Sequence, residues 1–451
     1  MHNASVEQQR TQLRNRVWLG LWAASLCACA DGVAWHELRA YGRGGQSGPQ
    51  AAPKVCVPTP AATPTQRCSE NGSDPSLPAC RTWQKVEPAG AVCSDGSPYK
   101  FFINYAAHSD NLLVMFEPGG ACWDYESCSG AARGAVNPHG LTDDHVARYQ
   151  SLNLLRRSPD NPASDWNFVF VSYCTGDIHV GDKVAEYPDP NGGPPLTYRH
   201  VGLSNTQHVI DYVQEHFANV PQLLVTGCSA GGIGALQNYA FVRDGVRGTQ
   251  CGYLLDDSGP SFHSGGASQK SFDTVRPAWN SATFTERLAE HLRVPVTLLE
   301  RDPAAIHTAL ADRYPTDRFS LSAYRSDLNY SLYLYETYYP DATTDDIHAM
   351  FWTELQGLMK TFDTRSNLAY YVPYFRHDNC SHCVSIPPFG HDQQTIATMP
   401  WLGSEIQSAD IDLHGFVEQL LDNTQPLASY VEDINADETF TDDELATCRM
   451  P

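Results

Sequence analysis

Basic residues are scarce in this chain. Its 451 residues include 30 lysines and arginines against 52 aspartates and glutamates, a formal net charge of −22. No basic stripe is present to neutralise phosphates, which excludes a nucleic-acid-binding role. The overall field also disfavours a polyanionic substrate at low salt, unless a local basic patch overrides it. Long apolar runs are missing too. The run from Val17 to Ala28 has the length of a signal-peptide core and is too short to span a bilayer comfortably. There is no internal repeat. Cys380-Ser-His-Cys383 lacks a second Cys/His pair with ligand spacing, so neither zinc nor another metal is expected.

The N-terminus carries an address. Arg10, Arg14 and Arg16 precede the apolar run, and two cleavage signals follow it. Leu26-Cys27-Ala28-Cys29 resembles a bacterial lipobox, which makes Cys29 the lipidated first residue of the mature chain and a membrane anchor. Ala28-Cys29-Ala30 fits ordinary signal cleavage equally. Both predict export, as a secreted, periplasmic or cell-surface lipoprotein. Of fourteen cysteines, twelve remain once Cys27 and Cys29 are set aside. An even, high number in an exported chain predicts disulfides.

Residues 1–30 are thus expected to be a signal or lipoprotein signal peptide. Residues 31–75, rich in Gly, Pro, Ala, Thr and Gln from Gly42 to Gln66, are expected to be a low-complexity linker. Residues 76–451 are expected to form a single catalytic domain. Apolar segments within it predict strands over 99–105, 111–117, 166–173, 222–226, 252–256, 318–324 and 367–375. Helices are predicted over 204–217, 231–244 and 345–361, the first with Ser204 and Gln207 as a capping box. Short strands alternating with amphipathic helices imply an α/β fold, a mostly parallel central sheet with helices on both faces. Chemistry in such sheets gathers beyond the carboxyl ends of the strands.

Gly227-Cys228-Ser229-Ala230-Gly231 is the most informative stretch. It follows the strand signal over 222–226 and precedes a helical pattern over 232–243, the context of the nucleophile elbow of α/β-hydrolases. Ser229 is the candidate nucleophile. In that fold the orienting acid and the base come later, each after its own strand. Asp327 follows the strand over 318–324, with Asp256, Asp257 and Asp341 as rivals and a helix N-cap as its alternative role. His382 follows the last strand, with His377 and His391 as rivals; Cys380 and Cys383 flank it and can fix its loop. The strand over 112–117 runs into Pro118-Gly119-Gly120-Ala121-Cys122-Trp123. Backbone N–H groups of Gly119 or Gly120, with Ala230, are the candidate oxyanion donors.

Together these residues resemble the pectin acetylesterase/Notum family of carboxylesterases, as a bacterial member. The likeness rests on Glu117-Pro-Gly-Gly-Ala-Cys-Trp123 with Cys128 behind it, Ser172-Tyr-Cys174-Thr-Gly-Asp177, Gly227-Cys-Ser-Ala-Gly-Gly232, Asp257-Ser-Gly259 and Cys380-Ser-His382, and spans about residues 90 to 395. The resemblance places the family's serine, aspartate and histidine on Ser229, Asp327 and His382, and a substrate-pocket residue at Trp123. It implies bridges Cys122–Cys128 and Cys93–Cys174. The chain departs from the family at Ala121, where an aromatic is frequent, and at Pro118, where glycine is usual, so pocket shape and acyl preference do not follow from the resemblance.

The expectation is an exported, monomeric serine carboxylesterase acting without metal or organic cofactor. The resemblance favours O-acetyl groups on a polysaccharide, with a long-chain, lipid-type acyl ester as the alternative. A peptidase or amidase using the same three residues, and a non-catalytic carbohydrate-binding or surface protein, are the competing classes.

Overall fold

A computed structural model describes residues 55–60, 63–130, 136–139, 141–150, 153–159, 161–374, 376, 381–385 and 406–432. The apolar segments pair into one nine-stranded sheet among these residues. In chain order its strands are β1 (Trp83–Val86), β2 (Phe101–Asn104), β3 (Leu112–Phe116) and β4 (Asn167–Val171). A separate antiparallel hairpin follows, β5 (Lys183–Tyr187) and β6 (Leu196–His200). The sheet resumes with β7 (Gln222–Cys228), β8 (Cys251–Asp257), β9 (Arg318–Ser322), β10 (Leu368–Val372) and β11 (Tyr430–Val431). The spatial order is β1-β2-β4-β3-β7-β8-β9-β10-β11. The β1–β2 and β2–β4 pairs are antiparallel and the rest parallel.

The helices are α1 (Tyr125–Cys128), α2 (Gly202–His216), α3 (Ala230–Gly245), α4 (Gln269–Trp279), α5 (Ser281–Leu292), α6 (Val296–Arg301), α7 (Ala305–Arg313), α8 (Leu328–Ser331), α9 (Thr344–Phe362) and α10 (Leu413–Leu421). Alternation along the strands sends side chains to two cores. Leu112, Val114 and Phe116 join the larger cluster with α2, α3 and α9; Leu113 and Met115 join the second with α10. With both faces covered, β3, β4, β8 and β10 are buried along their whole length, as a parallel sheet requires. No helix among the described residues is long and apolar enough to cross a membrane.

The expected strands and helices are present, with shifted ends. The Ser204–Gln207 capping box is not: α2 starts at Gly202. The reason is tertiary, since the buried Asp177 carboxylate accepts the Gly202 N–H at 2.8 Å and supplies the cap from another loop. Part of the expected linker is also anchored. Cys56 bridges to Cys251, Cys68 bridges to Cys80, and Arg67 pairs with Asp110 at 2.5 Å. The signal and lipobox residues including Cys29, together with Cys380, His377, His391 and the acidic tail beyond Glu432, lie outside the described residues.

Candidate active site

The loops after β3, β7, β8, β9 and β10 leave the same, carboxyl edge of the sheet, and the candidate residues sit on them. β7 ends at Cys228, Ser229 turns the chain with φ 58° and ψ −124°, and α3 begins at Ala230. A non-glycine residue in that backbone region is strained and persists only when its surroundings hold it. Here they do. A Cβ on Gly227 would strike the Gly231 carbonyl, and one on Gly231 would strike the Phe116 carbonyl of β3. The glycines therefore let α3 close directly onto β7 and β3, which brings the start of the β3 loop to the elbow.

His382 lies beside this turn. Its Nδ1 meets Asp327 Oδ2 at 2.7 Å, and its ring stacks on Tyr330 with centroids 6.4 Å apart. The pair is buried, with Asp327 at 0% and His382 at 5% relative exposure, while Ser229 retains 8%. A disulfide joins Cys228 to Cys383, linking the residue before Ser229 to the residue after His382. A ring nitrogen of His382 and the Cys228 sulfur lie within 4.8 Å. Both sulfurs of that bridge are thus committed to each other and are not thiolate ligands for a metal.

Among the rival acids, Asp341 is exposed. Asp256 is fully buried, and burial with the neighbouring Asp257 pushes its pKa well above the usual carboxylate range. Asp257 spends its carboxylate on residues 384 and 385, next to His382. Asp327 alone of these contacts the imidazole among the described residues.

The β3 loop is held by its carbonyls. His179 Nε2 lies 3.0 Å from Glu117 O, the Tyr173 hydroxyl donates to Gly120 O at 3.0 Å, and Trp279 Nε1 donates to Cys122 O at 2.6 Å. The Glu117 carboxylate accepts from His145 Nε2 and from the Tyr173 N–H, both at 2.7 Å. Cys122 N–H donates to Gly176 O at 3.0 Å, and Cys122–Cys128 closes the loop over α1. The positive φ of Gly119 (155°) and Gly120 (71°) allows this path, and Tyr173 packs so closely on Gly119 that a Cβ there would come within 2.9 Å of the ring. Among the described residues no acceptor takes the N–H of Gly119, Gly120 or Ala230. Free N–H groups at a helix N-terminus and a glycine loop are suited to a developing negative charge.

Trp123 stands at the far end of this loop, partly exposed, and stacks on Tyr338 with centroids 6.4 Å apart. Cys93 bridges to Cys174, tying the strand end after β4 to the loop before β2. Five disulfides among the described residues point to an oxidising compartment. The sequence reading missed Glu117, His145, Tyr173, His179 and Trp279 as loop supports. Glu117 and Tyr173 stood inside the quoted motifs; His145, His179 and Trp279 carried no local signal.

The chain is similar to several known proteins. The pectinacetylesterase family model matches residues 79–299. Pectin acetylesterase 5 of Arabidopsis thaliana is 31% identical over 158 residues, which cover 34% of this chain and 36% of that protein. Palmitoleoyl-protein carboxylesterase notum1a of Danio rerio is 26% identical over 163 residues, 35% of this chain and 31% of the relative. The match thus spans about a third of the length of these curated relatives, between 31% and 38%. Among solved structures, the Wnt deacylase Notum from Drosophila shares the fold, with a TM-score of 0.50 at 18% identity, covering 78% of this chain and 97% of that one.

Proposed function

We propose, from the premise that the chain belongs to the pectinacetylesterase/Notum family, that it is an exported serine carboxylesterase. The observation that carries this reading is the buried Asp327–His382 pair, tethered through Cys383–Cys228 to the residue preceding Ser229. In this mechanism Ser229 Oγ attacks the ester carbonyl while His382 Nε2 takes its proton. Asp327 keeps the other ring nitrogen protonated and faces the imidazolium as it forms. The C=O bond opens to an oxyanion held by the N–H groups of Gly119 or Gly120 and Ala230. The C–O bond to the leaving alcohol then breaks, and the alcohol departs with the proton from His382. Water, deprotonated by the same histidine, attacks the acyl-enzyme, releasing the acid and restoring Ser229.

The substrate is an O-acetyl ester on a polysaccharide, the reading favoured by the name of the Arabidopsis relatives. A net charge of −22 disfavours approach to a strongly anionic glycan. Export follows from the disulfides and from the signal-like N-terminus; the lipobox reading adds a bacterial source and an anchor at Cys29. The test is hydrolysis of p-nitrophenyl esters from acetyl to palmitoyl, with active-site labelling by a fluorophosphonate. Turnover falling steeply beyond short chains supports the acetyl reading. Preference for palmitoyl moves the substrate to long-chain esters, and no turnover or labelling at all sinks the assignment.

A further inference from the structure

Three consecutive backbone N–H groups follow His382, and the turn at the end of β8 takes all three. Ser258 Oγ accepts from Cys383, Asp257 Oδ1 from Val384 and Asp257 Oδ2 from Ser385, each at 2.9 Å. The Ser385 hydroxyl adds a bond to Oδ2 at 2.5 Å, and the Ser322 hydroxyl of β9 one to Oδ1 at 2.9 Å. Through its main chain the same aspartate meets the elbow. Its carbonyl accepts the Ser229 N–H at 2.8 Å, and it stands opposite Cys228 in the β7–β8 register.

This convergence needs a carboxylate. Asp257 is fully buried. Burial raises its pKa, and the bonds from Ser385, Ser322 and Val384 oppose that rise by favouring the charged form. An asparagine of the same shape would turn an NH2 toward one set of these donors and leave them unmet. The segment it grips is strained, and the carboxylate adds to the support given by the Cys228–Cys383 bridge and by the bonds between Ser381 and Arg376. Ser381 and Cys383, on either side of His382, have φ of 53° and 63°, a left-handed conformation that costs non-glycine residues free energy and persists only under external constraint.

We infer that Asp257 is a positioning residue of the hydrolytic site. Its carbonyl fixes the residue that carries the hydroxyl, its carboxylate fixes the segment that carries the imidazole, and one strand end thereby sets their separation together with the Cys228–Cys383 bridge. The inference rests on the reading of Ser229 and His382 as nucleophile and base. Hydrogen transfer between them is sensitive to small misplacement, so the carboxylate acts on turnover rather than on substrate affinity.

The test compares wild type, Asp257→Asn and Ser229→Ala on whichever p-nitrophenyl ester the wild type hydrolyses fastest, with fluorophosphonate labelling rates and thermal melts alongside. Asp257→Asn should melt cooperatively, lose about tenfold or more in kcat, keep KM within about twofold and label proportionally more slowly. A kcat within about twofold of wild type, with or without a change in KM, overturns the inference. If Asp257→Asn does not fold, Ser385→Ala decides, because it deletes one hydroxyl donor and leaves the carboxylate its other partners. A kcat lowered about three- to tenfold at unchanged KM and melting point then supports the inference, and wild-type kcat overturns it. Ser229→Ala separates the two readings. If it keeps wild-type turnover, the assignment of the nucleophile fails; if it is dead while Asp257→Asn turns over normally, only the positioning role fails.

Discussion

The Oδ2 atom of Asp327 lies 2.7 Å from Nδ1 of His382, while Oδ1 of the same carboxylate accepts the Tyr330 N–H at 2.8 Å and caps α8. One oxygen thus orients the imidazole and the other starts a helix. The Tyr330 ring then stacks on the imidazole, so the cap and the candidate base share a single packing unit. A helix N-cap and a catalytic acid are alternatives for this residue in the sequence; in the structure the same carboxylate makes both the cap and the contact to the imidazole.

Two substitutions of Asp327 should therefore separate. Asp327→Asn keeps an oxygen for the cap but presents the wrong hydrogen-bonding partner to His382 Nδ1. Its kcat should fall by on the order of 10⁴ with the melting point close to wild type. Asp327→Ala should lose a similar factor and also destabilise the fold by about 1 kcal/mol through the missing cap. Steady-state kinetics with thermal melts on both variants checks this. An Asp327→Asn enzyme at near-wild-type turnover removes Asp327 from the mechanism.

Histidine replacement tests the base directly. His382→Ala should lose orders of magnitude in kcat/KM, whereas His377→Ala and His391→Ala should stay near wild type. If either of the other two histidines proves the dead variant, the base has to be reassigned.

The parts of this site legible in the sequence are those whose signals are local. β7 and α3 flank a Gly-Cys-Ser-Ala-Gly turn, and strand patterns precede Asp327 and His382, so chain order and periodicity suffice to bring them to one sheet edge. What was not legible depends on distant partners. The cap of α2 comes from Asp177 and not from Ser204, and the bond from Trp279 Nε1 to Cys122 O spans 157 residues. The Cys228–Cys383 bridge likewise has no spacing rule behind it. β1 reads as polar, with the sequence Trp-Gln-Lys-Val, because it is an edge strand with one neighbour. The β5–β6 hairpin has its turn signal at Asp189-Pro-Asn-Gly-Gly193 but lacks the apolar strands of the central sheet.

Acid should weaken the fold partly through His179. Burial lowers its pKa to about 4, against the contrary pull of its bond to the Glu117 carbonyl. The unfolded chain takes up a proton here at the ordinary value near 6.5, whereas the folded chain refuses it until about 4. Stability from this group is thus intact above the unfolded pKa and lost as pH falls from there toward the folded one. Between pH 7 and pH 5 the wild type should lose about 2 kcal/mol more than His179→Gln, which has no proton to bind. Denaturant unfolding at the two pH values, disulfides intact, gives the comparison; equal losses would show that His179 is already charged in the native state.

Tyr173 offers a test of the candidate oxyanion loop that leaves the three candidate catalytic side chains untouched. Its hydroxyl donates to Gly120 O at 3.0 Å and accepts the Ile178 N–H at 2.8 Å, while its ring covers Gly119. Tyr173→Phe keeps the ring and removes only the hydroxyl. The Ile178 N–H then lacks its partner, which should destabilise the fold by about 1–3 kcal/mol. The Gly120 carbonyl is also freed, and with it the peptide planes that aim the Gly119 and Gly120 N–H groups. Deleting an oxyanion donor outright costs about 10²–10³ in kcat, so loosening the loop should cost less, about tenfold, with KM little changed. The measurement is kcat and KM on a p-nitrophenyl ester well below the melting point of the variant, so that lost stability is not read as lost chemistry. Wild-type kcat in a measurably destabilised Tyr173→Phe enzyme would mean that the loop keeps its aim through Glu117, Trp279 and the Cys122–Cys128 bridge alone, and that the hydroxyl serves folding only.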